Sequence, residues 1–256
     1  MDIKKDVQKQ FGKNAQSYVE SSIHKDGSDL SLLVHLAGLK GSEKVLDVAT
    51  GGGHTANAFA PYAWEVTAFD ITEEMLKAAE GFISGNGHKN VIFIKGDAEK
   101  LPFADESFDI VTCRIAAHHF PDVEAFVSEA FRVLKPNGKF LLDDNIVPEE
   151  DELDCFYNAI EKIRDYSHVR AWKKTEWIRM LESAGFIINQ LNRFEKSFEF
   201  ASWCKRMNLP QEEQGRLADI FRGAPKRVKK YFKIGLEGEN VTSFRGEAMV
   251  VSASKV

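Results

Sequence analysis

An α/β fold with a parallel central sheet is predicted from three observations. Val45–Val48 is an apolar run interrupted only by Asp47, as a strand buried on both faces requires. The cluster Gly51-Gly52-Gly53 follows at once, and His54 to Ala60 returns to helical residue types, so strand, glycine turn and helix open a βαβ unit. Further short strand-like runs at 65–70, 90–96 and 109–114 alternate with helical stretches, which is how a doubly wound sheet reads in sequence.

The glycine turn is the first functional signal. Glycines let the backbone take conformations closed to other residues and let a ligand approach the main chain. The helix start behind them offers unpaired N–H groups and a positive dipole end. Gly51 to Ala56 formally satisfies G-x-G-x-x-G/A, so a dinucleotide and an NAD-dependent oxidoreductase stand as one reading. Asp47, four residues before Gly51, is foreign to that fingerprint. The pattern D-x-A-x-G-x-G over Asp47–Gly53 instead resembles motif I of the class I S-adenosylmethionine (SAM) dependent methyltransferases. The resemblance implies that Asp47, Ala49, Gly51 and Gly53 contact the cofactor, with Ala49 where the family usually carries its first glycine.

Upstream, Val7, Phe11, Ala15 and Tyr18 recur at helical spacing. F-x-x-x-A-x-x-Y ahead of motif I looks like the lid segment of small-molecule methyltransferases, which implies that Tyr18 reaches SAM. Asp29 to Leu39 reads as a second helix. Glu65–Asp70 is a strand ending in a carboxylate nineteen positions past Gly51, where a nucleotide fold places the acceptor for the ribose hydroxyls. Thr72 suits the N-cap of the helix that follows, and Ile71 and Met75 would flank the adenine. The next strand ends at Asp97-Ala98, where a carboxylate can accept from the adenine amino group and a small side chain leaves room for the ring.

Strand four ends at Arg114, which the resemblance adds to the cofactor contacts. His118-His119-Phe120-Pro121-Asp122 resembles the H-H-x-x-D segment of the methyltransferase type 11 family, which includes quinone-biosynthesis methyltransferases. Asp122 suits a helix N-cap. No third ligand sits at a metal-binding spacing, so the histidines point to no metal. One of the two is expected to be structural and the other to face the pocket. His118, His119 and His168 are the candidates for a general base, because imidazole titrates near neutrality. Strand five follows the turn Val133–Lys139, and Asp144 near its carboxyl end would border the acceptor. Residues 149–175 read as a helical cap carrying His168, Arg170 and Trp172, with Arg170 and Trp172 as acceptor contacts. Thr175 suits the N-cap of the next helix. Ile187–Phe194 and Glu247–Ala253 are strands, and Phe198–Phe232 is helical, broken at Pro210 and Pro225.

With 256 residues the chain suffices for one α/β domain with additions: a lid over 1–38, a core over 39–148, a cap over 149–175 and C-terminal strands with a helical insertion over 176–256. The net charge of −5 speaks against a nucleic-acid partner, although a nucleic-acid methyltransferase stays open as an alternative. A SAM-binding protein without catalysis is also open. Three scattered cysteines and the lack of an apolar run of membrane length point to a reduced, cytoplasmic protein without membrane insertion. The resemblance implies a seven-stranded Rossmann-like sheet of order 3-2-1-4-5-7-6 with strand seven antiparallel, SAM as cofactor, and in-line methyl transfer to an O, N or C nucleophile of a small-molecule acceptor.

Overall fold

The apolar runs meet in one sheet. In a computed structural model describing residues 3–15, 19 and 27–256, its strands are β1 (Lys44–Val48), β2 (Glu65–Asp70), β3 (Val91–Lys95), β4 (Phe108–Arg114), β5 (Leu134–Val147), β7 (Phe186–Glu199) and β9 (Asn240–Lys255). Their order is β3-β2-β1-β4-β5-β9-β7; a two-residue β6 (Trp172–Lys173) pairs with β5, and β8 (Gly235–Glu237) pairs with β9. Apart from those two short additions this is the expected order, with β9 antiparallel to β5 and β7.

Successive side chains of β1 point to opposite faces. Leu46 and Val48 enter a core shared with Val111, Phe126, Phe140 and Trp177, whereas Val45 enters a second core with Leu33, Phe59, Ile83 and Leu141. The helices that cover these faces are α2 (Ser28–Ala37), α3 (His54–Phe59), α4 (Glu73–Gly85), α5 (Val123–Val133) and α7 (Lys174–Ser183), while α1 (Ile3–Gly12) lies against α4. Asp122 caps α5, its Oδ1 accepting from Ala125 N at 2.9 Å.

Several local expectations need correction. The turn expected at 133–139 is instead an excursion inside β5: Phe108 pairs with Leu134 and Ile110 with Lys139, so the residues between bulge out around Asn137 at φ 63°. Thr175 is not an N-cap. Helix α7 starts one residue earlier, Lys173 is its cap, and the Thr175 hydroxyl donates to Glu149 Oε2 at 2.6 Å. Thr72 occupies the N-cap position of α4 without a side-chain cap bond; the carboxylate that accepts from its own N–H is Asp70.

Beyond the sheet, α6 (Asp151–Arg164), α8 (Phe200–Lys205), α9 (Gln211–Gly223) and α10 (Lys226–Tyr231) enclose a third core around Tyr157, Trp203, Phe221, Phe232 and Phe244. The helix breaks fall at Pro210 and Pro225, which stand at the N-caps of α9 and α10. This core braces α6, and α6 in turn carries the groups that fix the segment 165–171.

Glycine is required at position 53. Its φ is 82°, and a Cβ there would lie 2.9 Å from Ala79 Cβ and Ile83 Cδ1 on α4. Gly53→Ala is expected to destabilise the fold by ~2–4 kcal/mol, from the left-handed backbone plus overpacking, read by urea denaturation. At Gly51, with φ 54°, an added Cβ would meet nothing within 4 Å among the described residues. Gly51→Ala should therefore cost only the backbone share, while filling the space beside the loop.

Candidate active site

A cavity of about 990 Å³, counted to its open side, lies at the carboxyl ends of β1 to β4, where the strand order reverses between β1 and β4. Its walls are the loop Ala49–Gly52, the end of β2 from Phe69 to Thr72, Gly96–Glu99 after β3, and Arg114–Ala116 after β4. Helix α1 adds Lys4, Val7 and Phe11, and the turn after β4 adds His119, Phe120 and Pro121.

The loop is held by two carboxylates with different jobs. Asp70 lines the cavity, and its Oδ2 accepts from Gly51 N at 2.9 Å while Oδ1 accepts from Thr72 N at 2.8 Å. Each oxygen keeps a second lone pair for a ligand. Burial raises the Asp70 pKa against the pull of these backbone donors. Asp47 is a correction: it does not line the cavity. It is buried behind the loop, where Oδ2 accepts from the Thr50 hydroxyl at 2.6 Å and from Ala56 N at 3.0 Å, and burial pushes its pKa up to about 7. Gly53 is also absent from the wall, since it serves the contact with α4. Gly52, His54 and Thr55 line the cavity in their place. Ala49 takes the left-handed conformation at φ 56°, so the residue that replaces the expected glycine adopts a glycine-like backbone at a cost of ~1–2 kcal/mol.

Ile71, Met75, Asp97, Ala98 and Arg114 are all in the wall. Asp97 accepts from Glu99 N through Oδ1 at 3.0 Å and from Lys4 Nζ of α1 through Oδ2 at 2.6 Å. Arg114 is paired by Asp29, which takes Nε at 2.9 Å and Nη2 at 2.6 Å. Asp143 lies 3.4 Å from the same Nε, and its complete burial pushes its carboxyl up to about 8. A carboxyl whose folded pKa is raised supplies stability at acid pH that is lost as pH rises through the folded value. Asp143→Asn is thus expected to change the melting temperature least below about pH 4, where folded and unfolded carboxyls are both protonated, and to raise it progressively from there to about pH 8, by calorimetry. Next along the chain, Ile115 holds φ 53°, rare for a β-branched residue and a local strain of ~1–3 kcal/mol in the cavity wall.

The histidines separate. His119 lines the cavity, and its Nδ1–H donates to the Ser167 carbonyl at 3.1 Å, which leaves Nε2 as the basic nitrogen. Asp165 Oδ2 is 3.9 Å from that nitrogen, and the Phe11 ring meets the imidazole edge-on at 5.1 Å. His118 is not in the wall; its Nδ1 faces Asp144 Oδ1 at 2.5 Å and its backbone N–H donates to Asp144 Oδ2 at 2.8 Å. Asp144 is therefore committed to His118 and does not border the cavity, contrary to expectation.

His168 is buried away from the cavity, with Nε2 at 2.9 Å from Asn158 Oδ1 on α6; burial, then the neighbouring histidines, lower its pKa. Arg170 and Trp172 are corrected too. The Arg170 guanidinium donates to Asp154 at 2.8 Å and covers the Trp172 ring at 5.1 Å, outside the cavity wall. The cap thus holds the histidine turn from behind: Val169 N and Arg170 N both donate to the His118 carbonyl. Tyr18 lies outside the described residues.

Among the described residues no three His, Cys, Asp or Glu side chains are placed to hold a metal ion. Nor, among them, is any helix long and apolar enough to cross a membrane. The donor set suits an adenosyl ligand: a carboxylate with spare lone pairs at the end of β2, another at the end of β3, apolar Ile71 and Met75 between them, and open space beside Gly51.

Residues 46–142 match the Methyltransf_11 family, described as a methyltransferase domain. Over 246 residues the chain is 38% identical to YcgJ of Bacillus subtilis, named an uncharacterized methyltransferase, covering 96% of this chain and 97% of the relative. A crystal structure of a Bacillus halodurans protein, BH2331, is 56% identical, covering 90% of this chain and 99% of that one, with a TM-score of 0.88. The quinone-biosynthesis C-methyltransferase UbiE of Rickettsia bellii is 38% identical over 48% of this chain and 54% of its own length.

Proposed function

The chain belongs to the Methyltransf_11 methyltransferases and is a SAM-dependent enzyme, and from that premise we propose that its acceptor is a small, partly apolar molecule bound beside His119. SAM supplies, when bound, an activated methyl group on a sulfonium, so the protein's task is to position the acceptor, exclude water and take a proton where the acceptor carries one. Asp70 would hold the ribose hydroxyls, Asp97 the adenine amino group, and Ile71, Met75 and Ala98 the ring faces. The Ala49–Gly52 loop and Arg114 would hold the remainder of the cofactor.

The observation that carries the acceptor reading is the closure around His119. Phe11 on α1 packs against the imidazole, and Ile115, Ala116 and Phe120 add apolar lining to the same cavity. A ring recessed in this way favours an acceptor small enough to enter the cavity. The acidic net charge supports the same conclusion. The UbiE likeness covers about half of each chain, so it supports a small acceptor with an apolar ring system but no particular quinone.

His119 would receive the acceptor proton on Nε2, with Asp165 stabilising the imidazolium. Orientation of the reactants contributes ~7–11 kcal/mol in well-ordered cases. The test is incubation with isotopically labelled SAM and a fractionated metabolite extract, then with cellular RNA and protein. Label in a low-mass product supports the proposal; label confined to RNA or protein overturns it.

A further inference from the structure

Adjacent in sequence, His118 and His119 have opposite surroundings. Asp144 wraps His118: Oδ2 takes its backbone N–H at 2.8 Å and Oδ1 meets Nδ1 at 2.5 Å, in a pair almost wholly buried. A second donor, Asn145 N, reaches Asp144 Oδ1 at 2.8 Å. A buried carboxylate this close to a ring nitrogen favours the protonated imidazole. The His119 ring lies with its centroid 4.2 Å from that of His118, tilted by 45°. Its Nδ1–H is given to a neutral carbonyl, Ser167 O, and among the described residues no carboxylate lies within hydrogen-bonding distance of its Nε2, Asp165 Oδ2 standing 3.9 Å away.

We infer that Asp144 keeps the His118 ring as a fixed cation that holds the adjacent His119 as the neutral imidazole, making His118 and Asp144 positioning residues for the base in the cavity wall. This rests on the reading of His119 as that base. The other groups facing the two rings are His168, whose ring centroid is 5.6 Å from His118 and 6.5 Å from His119, together with Asp165 and, from α6, Glu161. Glu161 is itself paired with Arg164 at 2.6 Å. Asp165 accepts from the Ser167 hydroxyl at 2.5 Å and its N–H at 2.9 Å, so much of its charge is already engaged. The directions of titration agree. Burial opposes protonation of His118, yet Asp144 overrides it and the pKa is raised. For His119 burial and then the charge on His118 lower the pKa to about 4.

A neutral His119 is ready to accept a proton at any pH above its own midpoint, while neither His118 nor Asp144 lines the cavity. The arrangement also explains the doubled histidine: one ring supplies charge and the other supplies the lone pair.

The experiment is NMR titration of the protein carrying ring-labelled histidine, with the signals assigned by single substitution. In the unmodified protein His118 is expected to titrate above pH 6.5 and His119 to stay neutral well below it. His118→Gln removes the cation and leaves the Asp144 carboxylate, so the His119 midpoint should rise by at least one pH unit, a tenfold gain in proton affinity. Asp144→Asn should raise it less, because cation and carboxylate charge vanish together. A His118 ring already neutral at pH 6 in the unmodified protein overturns the inference, whether or not the variants fold. So does an unmoved His119 midpoint in a folded His118→Gln protein. Because these readouts need no acceptor, they stand apart from the base assignment: opposite titration of the rings with normal turnover in a His119 variant removes the base role and leaves the pair intact.

Discussion

Asp70→Ala is expected to weaken SAM binding at least tenfold, about 1.4 kcal/mol or more, by isothermal titration. Two losses combine. A carboxylate that accepts from the ribose hydroxyls contributes charge-assisted hydrogen bonds of ~1.5–3 kcal/mol. The same side chain also ties Gly51 N to Thr72 N across the loop and the end of β2, so its removal loosens the cradle. Asp70→Asn separates the two, because an amide oxygen can still take one backbone donor but brings no negative charge to the ribose. Affinity should fall for both variants, and further for alanine. Since burial raises the Asp70 pKa, protonation empties its acceptor role above the ordinary carboxylate range, and SAM affinity should decline as pH falls through that raised value. Alanine and wild type binding SAM equally well would remove Asp70 from the cofactor site.

The parts of the site that could be read from sequence are those fixed by short-range geometry. A strand that ends in Asp70 must deliver that residue to the carboxyl edge of the sheet, and the same holds for Asp97 and Arg114. Ile71 and Met75 follow from the helix beginning next to Asp70. What could not be read is which of two neighbours turns inward, and which partner claims a charged group. His118 is claimed by Asp144, twenty-six residues away, and His168 by Asn158 on a helix whose stability comes from the C-terminal core. Arg170 looked available for a substrate because Asp154 and Glu176 show no link to it until α6 and α7 are packed. Asp47 and Gly53 mislead for a subtler reason: both belong to the loop motif, but they shape it from behind rather than touch its contents. Part of the signal for Asp47 was present in its strand. It shares a face with Val45, and that face is covered by α2 and α3.

His119→Gln is expected to slow turnover by ~10²–10⁴-fold once an acceptor bearing an ionisable proton is in hand, with SAM affinity changed by less than about threefold. Glutamine keeps a donor for the Ser167 carbonyl and much of the ring's volume, so the turn should persist, while the basic lone pair at Nε2 is lost. The pH profile discriminates further. With a His119 pKa of about 4, wild-type turnover should hold on the acid side well below pH 6 before it falls, and the variant should lose that limb. An acceptor presented already ionised should be methylated at similar rates by both proteins, because no proton then needs a destination. His168→Gln supplies the control: a ring buried against Asn158 and outside the cavity wall should affect stability more than rate. If His119→Gln turns over a protonated acceptor as fast as wild type, water or the acceptor itself disposes of the proton. The cavity's contribution would then be orientation alone.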